Sequence, residues 1–415
     1  MRMQMRKTAP GLGGTAPATH WSVLLAYGLG LGTGAAAIVG FGFLGLLMRT
    51  YAGSDFAGFW AAPRMYLNGI DPYDPAFYSA AVAQLGVQSP DWKIFGYPPW
   101  VVFALLPLGA LPVGTATAIW TIGGGVSAMT GVWMLLRAAA PGSRLTAAVA
   151  GALLLGSPPA IYSFLQGQWS FFLVGTSAAM MALFIAGRHR SAGLLSAVLL
   201  LKPHLFLFTA VGLTRSAFAR HRAGAVAVAA TAALVVIGVA TLARPTWFFH
   251  WLLQIPDRAA SLRMVTLTTA LGDVFGLGNW LALALLLAAF LAALTFDPRG
   301  NASLAVWTAL SSTAVIYGYS YDHLLLVVPL VIASGVAHEI SVRRGRILTL
   351  LGGSVVYVGE LALHQVAVAR PDQSQSLNAL VPLAVLALVI LALWPARHFS
   401  ERRPLAERFE HDARG

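Results

Sequence analysis

Residues 49–99 read RTYAGSDFAGFWAAPRMYLNGIDPYDPAFYSAAVAQLGVQSPDWKIFGYPP, and they form the longest piece of the chain that is not an apolar run. Ser54-Asp55 comes directly after such a run. A carboxylate a few residues beyond a membrane span sits where it is partly desolvated yet still reaches polar head groups, which suits a general base. Asp55 is therefore the first candidate catalytic residue. The segment Asp55 to Leu67 carries Phe56, Phe59, Trp60, Met65 and Leu67 around a single Arg64, which predicts a short helix lying in the membrane interface. Asn68-Gly69 and Asp71-Pro72 are turn chemistry and end it. A purely structural role for Asp55 is also open, because Ser and Asp before an apolar helix are good N-caps.

The rest of the chain explains why this loop stands out. Of 415 residues, 58% are hydrophobic and only 10% charged, and the mean hydropathy is +0.72. That is a polytopic membrane protein. The net charge of +12 would suggest nucleic acid in a soluble protein. Here the Lys and Arg flank apolar runs, so orientation and lipid head groups account for them, and no nucleic-acid partner is expected. There are no cysteines, which excludes disulfides, thiolate metal sites and Cys nucleophiles.

Residues 1–20 are expected to be a disordered cytoplasmic tail, and the run from Trp21 to Met48 an anchored first span, too long for a signal-peptide core. Further spans are expected at about Tyr97–Leu111, Val113–Leu136, Leu145–Phe164, Phe171–Ala186 and Ser191–Leu213, then to Leu242. Five more follow at Trp280–Phe296, Ala302–Tyr319, Leu324–Val336, Ile347–Leu363 and Leu377–Trp394. The expected fold is thus an all-α bundle of about twelve spans of roughly 20 residues each, with interfacial helices in the first extracytoplasmic loop. One membrane domain covers 21–396, including a first catalytic loop (49–99) and a second large loop (244–279), and 397–415 is a basic cytoplasmic tail. No internal repeat is visible. This topology places Arg188-His189-Arg190 outside, against the positive-inside rule; splitting the Lys202 segment into two half-spans, or losing a span near Gln166, would change that sidedness.

On this topology Asp55, Asp322-His323 and the loop cations Arg258 and Arg263 meet at one membrane face. Lys202, before Pro203 and within an apolar segment, must face a cavity or kink rather than lipid. A base, a histidine and several cations at a lipid interface suit a reaction on an anionic phospholipid, with the cations neutralising a leaving phosphate. Each has a blander role: Lys202 snorkelling or pairing in the bundle, His323 bonded to a carbonyl, the two arginines anchoring a loop. Asp322-His323 lacks a paired ligand motif such as HExxH, so no metal is assigned. There is no Walker loop, GxSxG or dinucleotide fingerprint.

The order of short motifs then becomes informative. Ser54-Asp55 with Phe59-Trp60-Ala61-Ala62, Leu67-Asn68-Gly69 with Asp71-Pro72-Tyr73, and Phe95-Gly96-Tyr97-Pro98-Pro99 with Pro107 and Leu111-Pro112 resemble the opening of glycosyltransferase family 87. This bacterial membrane family includes the polyprenol-phosphate-mannose-dependent mannosyltransferases that build phosphatidylinositol mannosides. Gly167-Gln168, Lys202-Pro203 and Tyr321-Asp322-His323 resemble its later motifs, in the same order, so that the likeness spans roughly residues 50–330.

The resemblance implies a GT-C fold in a bacterial inner membrane, an extracytoplasmic active site, a polyprenyl-phosphate sugar donor, a lipid or glycan acceptor, and neither cofactor nor metal. It implies Asp55 as catalytic base. Lys202, His323 and Asp322, with Tyr97, Gln168, Arg258 and Arg263, are candidates for binding donor phosphate or acceptor. The Arg258 to Arg263 segment matches no family motif, which leaves the acceptor open. The alternatives are a transporter or flippase of a lipid-linked or anionic solute, in which Lys202 and Asp322 line a midplane pathway, and a non-catalytic envelope scaffold.

Overall fold

The computed structural model describes residues 55–85, 94–261, 265–276, 278–315, 317–369 and 375–398. The expected first span, both tails apart from Arg397 and His398, Ser54 and Arg263 lie outside them. Among the described residues the chain is all-helical. The helices are α1 Asp55–Leu67, α2 Tyr78–Gln84, α3 Pro99–Ala104, α4 Leu106–Gly109, α5 Val113–Ala139, α6 Arg144–Gly156, α7 Pro158–Gln166, α8 Ser170–Ile185 and α9 His189–Leu195. After two 3₁₀ turns, Ser196–Leu201 and Pro203–Leu205, come α10 Leu207–Ala219, α11 Ala223–Ala243, α12 Pro245–Ser261, α13 Leu267–Phe275, α14 Gly278–Leu294 and α15 Asn301–Thr313. The 3₁₀ segment Ser320–Leu326 leads into α16 Val327–Ile340. Then follow α17 Val342–Ser354, a π turn Val355–Gly359, α18 Glu360–Ala369, a 3₁₀ turn Gln375–Ala379 and α19 Leu380–Leu393.

Six helical stretches among these are long and apolar enough to cross a membrane: Val113–Ala139, Arg144–Gln166, Ala223–Ala243, Ser320–Ile340, Val342–Val366 and Ser376–Ala396. Shorter apolar helices accompany them at Ser170–Ile185, His189–Leu201, Leu207–Ala219 and Asn279–Leu294. Helices approach closely where small residues allow it. A Cβ on Gly131 would lie 1.9 Å from the Gly175 carbonyl oxygen, and one on Gly335 would lie 1.8 Å from that of Ala139.

Two expected spans are corrected. Tyr97–Leu111 does not cross: it forms α3 and α4, six and four residues long, or about 9 and 6 Å at 1.5 Å per residue against a ~30 Å core. The cause is proline spacing, since Pro107 opens α4 and Pro112 precedes α5, leaving no room for a longer helix. The segment stays beside α1 instead. Trp60 Nε1 donates to the Leu111 carbonyl at 2.9 Å and Arg64 to that of Gly109 at 3.2 Å. The apolar side chains of α1 pack into the protein: Phe56, Phe59, Trp60 and Met65 are all buried.

Ser191–Leu213, read as one span, is two legs. Lys202 has φ −139° and ψ 69°, outside the helical region, and Pro203 supplies no N–H, so the helix stops there. The chain turns back. The Arg220 guanidinium lies 5.4 Å from the Phe184 ring, and that ring packs edge-on against His189 at 4.7 Å. The start of the first leg and the end of the second are therefore neighbours.

These two changes put Arg188-His189-Arg190 at the same end of the bundle as Arg220, and Arg299 Nε bonds there to the Ala219 carbonyl. Because Gln168 opens and Arg188 follows the 16-residue α8, the two residues are about 24 Å apart along the axis. One end is basic; the other carries Asp55, Gln168, Lys202 and Asp322. Cysteine-free sequence makes this testable: single cysteines replacing Arg190 and Arg222 should react with an impermeant maleimide from the same side of sealed vesicles, and Phe77→Cys, 59% exposed, from the other. Arg190→Cys labelling from the Phe77→Cys side would overturn the assignment.

Candidate functional site

Asp55 opens α1 and is half-buried. Its Oδ2 accepts a short hydrogen bond from Gln168 Nε2. How Gln168 gets there is legible in local backbone. Helix α7 ends at Gly167, which adopts φ 61° and ψ 39°, the left-handed region that glycine enters without Cβ strain. The Gln168 N–H then returns to the Ser163 carbonyl at 2.9 Å, and Trp120 Nε1 caps the Gly167 carbonyl at 2.8 Å. Gln168 itself is 2% exposed. Its Oε1 accepts from the Tyr97 hydroxyl at 3.5 Å, and the Tyr73 hydroxyl donates to the Tyr97 carbonyl at 2.6 Å.

The relay Tyr97, Gln168, Asp55 thus has a fixed sense: an amide oriented at its oxygen presents its NH₂ to the carboxylate. Rings enclose it. Phe59 lies 4.9 Å from Tyr97 and 5.4 Å from Trp169, and Trp120 packs on Trp169 at 4.5 Å. Such walls keep the dielectric low, which strengthens every polar contact inside.

The second group forms where the two 3₁₀ breaks meet. Lys202 Nζ lies 2.9 Å from Asp322 Oδ1, the two side chains 2% and 4% exposed. Oδ2 of the same aspartate accepts from the Tyr319 N–H at 3.2 Å, closing the turn from which the 3₁₀ segment starts. The ammonium also stands 4.9 Å over the Tyr321 ring, a cation–π contact. Tyr321 stacks on Tyr319 at 5.2 Å and on Tyr162 of α7, the helix that leads to Gln168, at 6.3 Å. It bridges the two groups. The His204 ring, edge-on to Tyr317 at 5.5 Å, lies within electrostatic reach of Lys202 and Asp322.

The third group is a buried pair between His323 Nδ1 and Glu360 Oε1. Among the predicted site residues, then, Asp55, Tyr97 and Gln168 are joined in one bonded chain, Lys202 and Asp322 in another, and His323 adjoins Asp322. Arg258 lies on α12, and only its backbone is described; Arg263 lies outside the described residues. Sequence reasoning missed Glu360 and Tyr321 as site residues. Glu360 had a readable signal, an acidic residue inside an apolar span. Among the described residues no three of His, Asp and Glu form a candidate metal-ligand group.

Chemically the arrangement offers an oriented carboxylate and, in the second group, a buried ammonium paired with Asp322. The ion pair is the fragile part, because removing one partner leaves an uncompensated buried charge. Lys202→Met and Asp322→Asn should each cost about 3–5 kcal/mol, and Lys202→Met with Asp322→Asn, which keeps an acceptor for the Tyr319 N–H, should recover most of it. Thermal denaturation of the detergent-solubilised variants checks this; a double variant no better than the worse single would mean that the pair does not act as a unit.

No curated protein and no solved structure matches the chain. The sequence model of glycosyltransferase family 87 matches residues 95–329, a stretch that includes Tyr97, Gln168, Lys202, Asp322 and His323. It covers more than half of the chain, and the protein belongs to glycosyltransferase family 87.

Proposed function

We propose that this membrane glycosyltransferase moves a hexose, mannose by the family likeness, from a polyprenyl-phosphate sugar to a hydroxyl of a lipid or glycan acceptor. Asp55 is the general base of a single inverting displacement. The observation that carries the reading is the Asp55 carboxylate held by the buried Gln168 amide at the same end of the bundle as the buried Lys202–Asp322 pair. In the displacement the acceptor O–H proton passes to Asp55 as its oxygen bonds to the anomeric carbon. The bond from that carbon to the phosphate oxygen breaks, and its electron pair leaves with the polyprenyl phosphate. Lys202 has donors beyond the one used on Asp322, and these, with Arg258 and Arg263 on the second loop, are the cations proposed for the phosphate.

Two further observations support the reading. The polar end is opposite the loops that carry Arg188, Arg190, Arg220 and Arg222, an arrangement that under the positive-inside rule supports an extracytoplasmic site. A cavity of about 430 Å³ also lies between α8, α9, α10 and α11, lined by apolar residues such as Phe184, Leu199, Phe206, Ala229 and Ala233, and it reaches Pro203. That is the residue after Lys202. A hydrocarbon chain in this cavity would bring its phosphate towards the ammonium.

A positioned base contributes typically 10² to 10⁴-fold. Sugar transfer from polyprenyl-phosphate mannose to extracted membrane lipids should therefore fall by about that factor in Asp55→Asn, with expression unchanged. Turnover retained in Asp55→Asn would remove Asp55 from the mechanism; tight polyprenyl-phosphate binding with no transfer by either form would favour the carrier alternative. Filling the cavity with Ala229→Phe should raise KM for a long-chain donor about tenfold, the loss of roughly two buried methylenes at ~0.8 kcal/mol each, while a short-chain donor is unaffected. Equal effects on both donors would take the chain out of that cavity.

A further inference from the structure

Helix α12 carries apolar side chains on more of its circumference than the protein covers. Trp247 is 2% exposed and packs on Tyr66, Tyr73 and Phe103 at 5.4, 5.1 and 5.8 Å. One turn on, Trp251 meets Trp100 at 6.0 Å. Phe249, Leu252 and Leu253, at positions i, i+3 and i+4, share a different face, and they are 61%, 46% and 74% exposed. Thr246, His250 and Gln254, spaced by four, form a polar row that separates the Phe249–Leu253 row from the Trp247–Trp251 row. Such a helix suits water on one narrow strip only.

The neighbouring elements fix where this helix lies. The 21 residues of α11 follow Arg222 at the basic end and rise about 32 Å, enough for a ~30 Å core. Leu242 in its last turn is 85% exposed. Helix α12 starts two residues beyond the end of α11, at the boundary of the membrane, and it does not cross back. Trp247 near its start packs on the rings of the polar end. Val265, four residues past its last residue, donates its N–H to the Gly318 carbonyl at 2.9 Å, beside Tyr319 at that same end. Both ends of α12 are thus held at one end of the bundle, and the helix runs along it.

We propose that α12 is docked in the bilayer leaflet at the polar end, with Phe249, Leu252 and Leu253 among the upper acyl chains and Thr246, His250 and Gln254 at the head groups. Helices with a broad apolar face lie in the interface plane because burying that face among acyl chains is favourable while the polar row stays wet. Lipid fits this face better than a protein partner does, since the helix begins where a lipid-facing span ends and follows the boundary from there. The docking also reaches the site. Trp251 rests on Trp100, whose Nε1 donates to the Leu200 carbonyl at 2.9 Å. Leu200 lines the apolar cavity and stands two residues before Lys202. A lipid-anchored α12 therefore covers the cavity near Lys202 and sets the depth of that break relative to the head groups. The docking holds with or without the transferase reading.

The chain has no cysteine, so Phe249→Cys, Leu253→Cys and His250→Cys can each carry a single bimane label on the full-length protein in nanodiscs. Lipids bearing a nitroxide high on the acyl chain should remove most of the emission at 249 and 253 and little at 250, and a water-soluble nitroxide should do the reverse. Leu252→Cys and Thr246→Cys stand in for either row if a first variant fails to fold. Equal quenching of both rows by the soluble nitroxide would put the apolar row in water. Strongest quenching by a nitroxide at the chain end would make α12 a crossing helix, and protection of 249 and 253 from every quencher would put a protein partner there. Each of these results would overturn the proposal.

Discussion

A buried ammonium must be paired, and in this protein the pairing of Lys202 with Asp322 holds two interruptions of the helical bundle face to face. Each partner lies where regular helix gives way, Lys202 between two 3₁₀ turns and Asp322 in the 3₁₀ segment that precedes α16. Backbone released from a helix in an apolar surrounding needs new partners. Asp322 supplies one by accepting from Tyr319 with its second oxygen. The pair therefore serves both charge and backbone, and because the two breaks are brought together, the polar side chains around them are gathered at one end of the bundle.

That gathering separates the molecule into two ends of different chemistry. The loops around Arg188 and Arg220 form a basic end held by guanidinium contacts to carbonyls and rings. The opposite end is aromatic and holds the carboxylates singled out here. Between them, close approach at Gly131 and Gly175 binds α5 to α8, and α8 carries the rigid turn that presents Gln168 to Asp55. The apolar cavity between α8, α9, α10 and α11 reaches Pro203, where the chain turns back.

Much of the site was legible before any coordinates. The ordered motifs named Asp55, Tyr97, Gln168, Lys202, Asp322 and His323, and the structure brings these six into adjoining groups. Polar residues beside or within apolar runs stand out because lipid tolerates them only where protein or water meets them. Glu360 was as visible by that criterion, yet it was absorbed into an apolar run. What covers the rings of α1 was not legible for a related reason: an aromatic-rich segment beside a span looks the same whether its rings enter lipid or protein, and Phe56, Phe59 and Trp60 enter the protein.

Composition and hydrophobic run length determined that the chain is a helical membrane protein, since only helices satisfy the backbone of such long apolar runs in lipid. Motif order pointed to its family. Which runs cross, and in which sense, was decided by tertiary structure. Prolines at 98, 99, 107 and 112 confine one apolar run to the polar end, and the Lys202-Pro203 break doubles another back. Both outcomes depend on partners far away in sequence, Leu111 for Trp60 and Asp322 for Lys202. A hydropathy profile records how apolar a segment is, not where its neighbours lie, and it is the neighbours that make a buried charge tolerable.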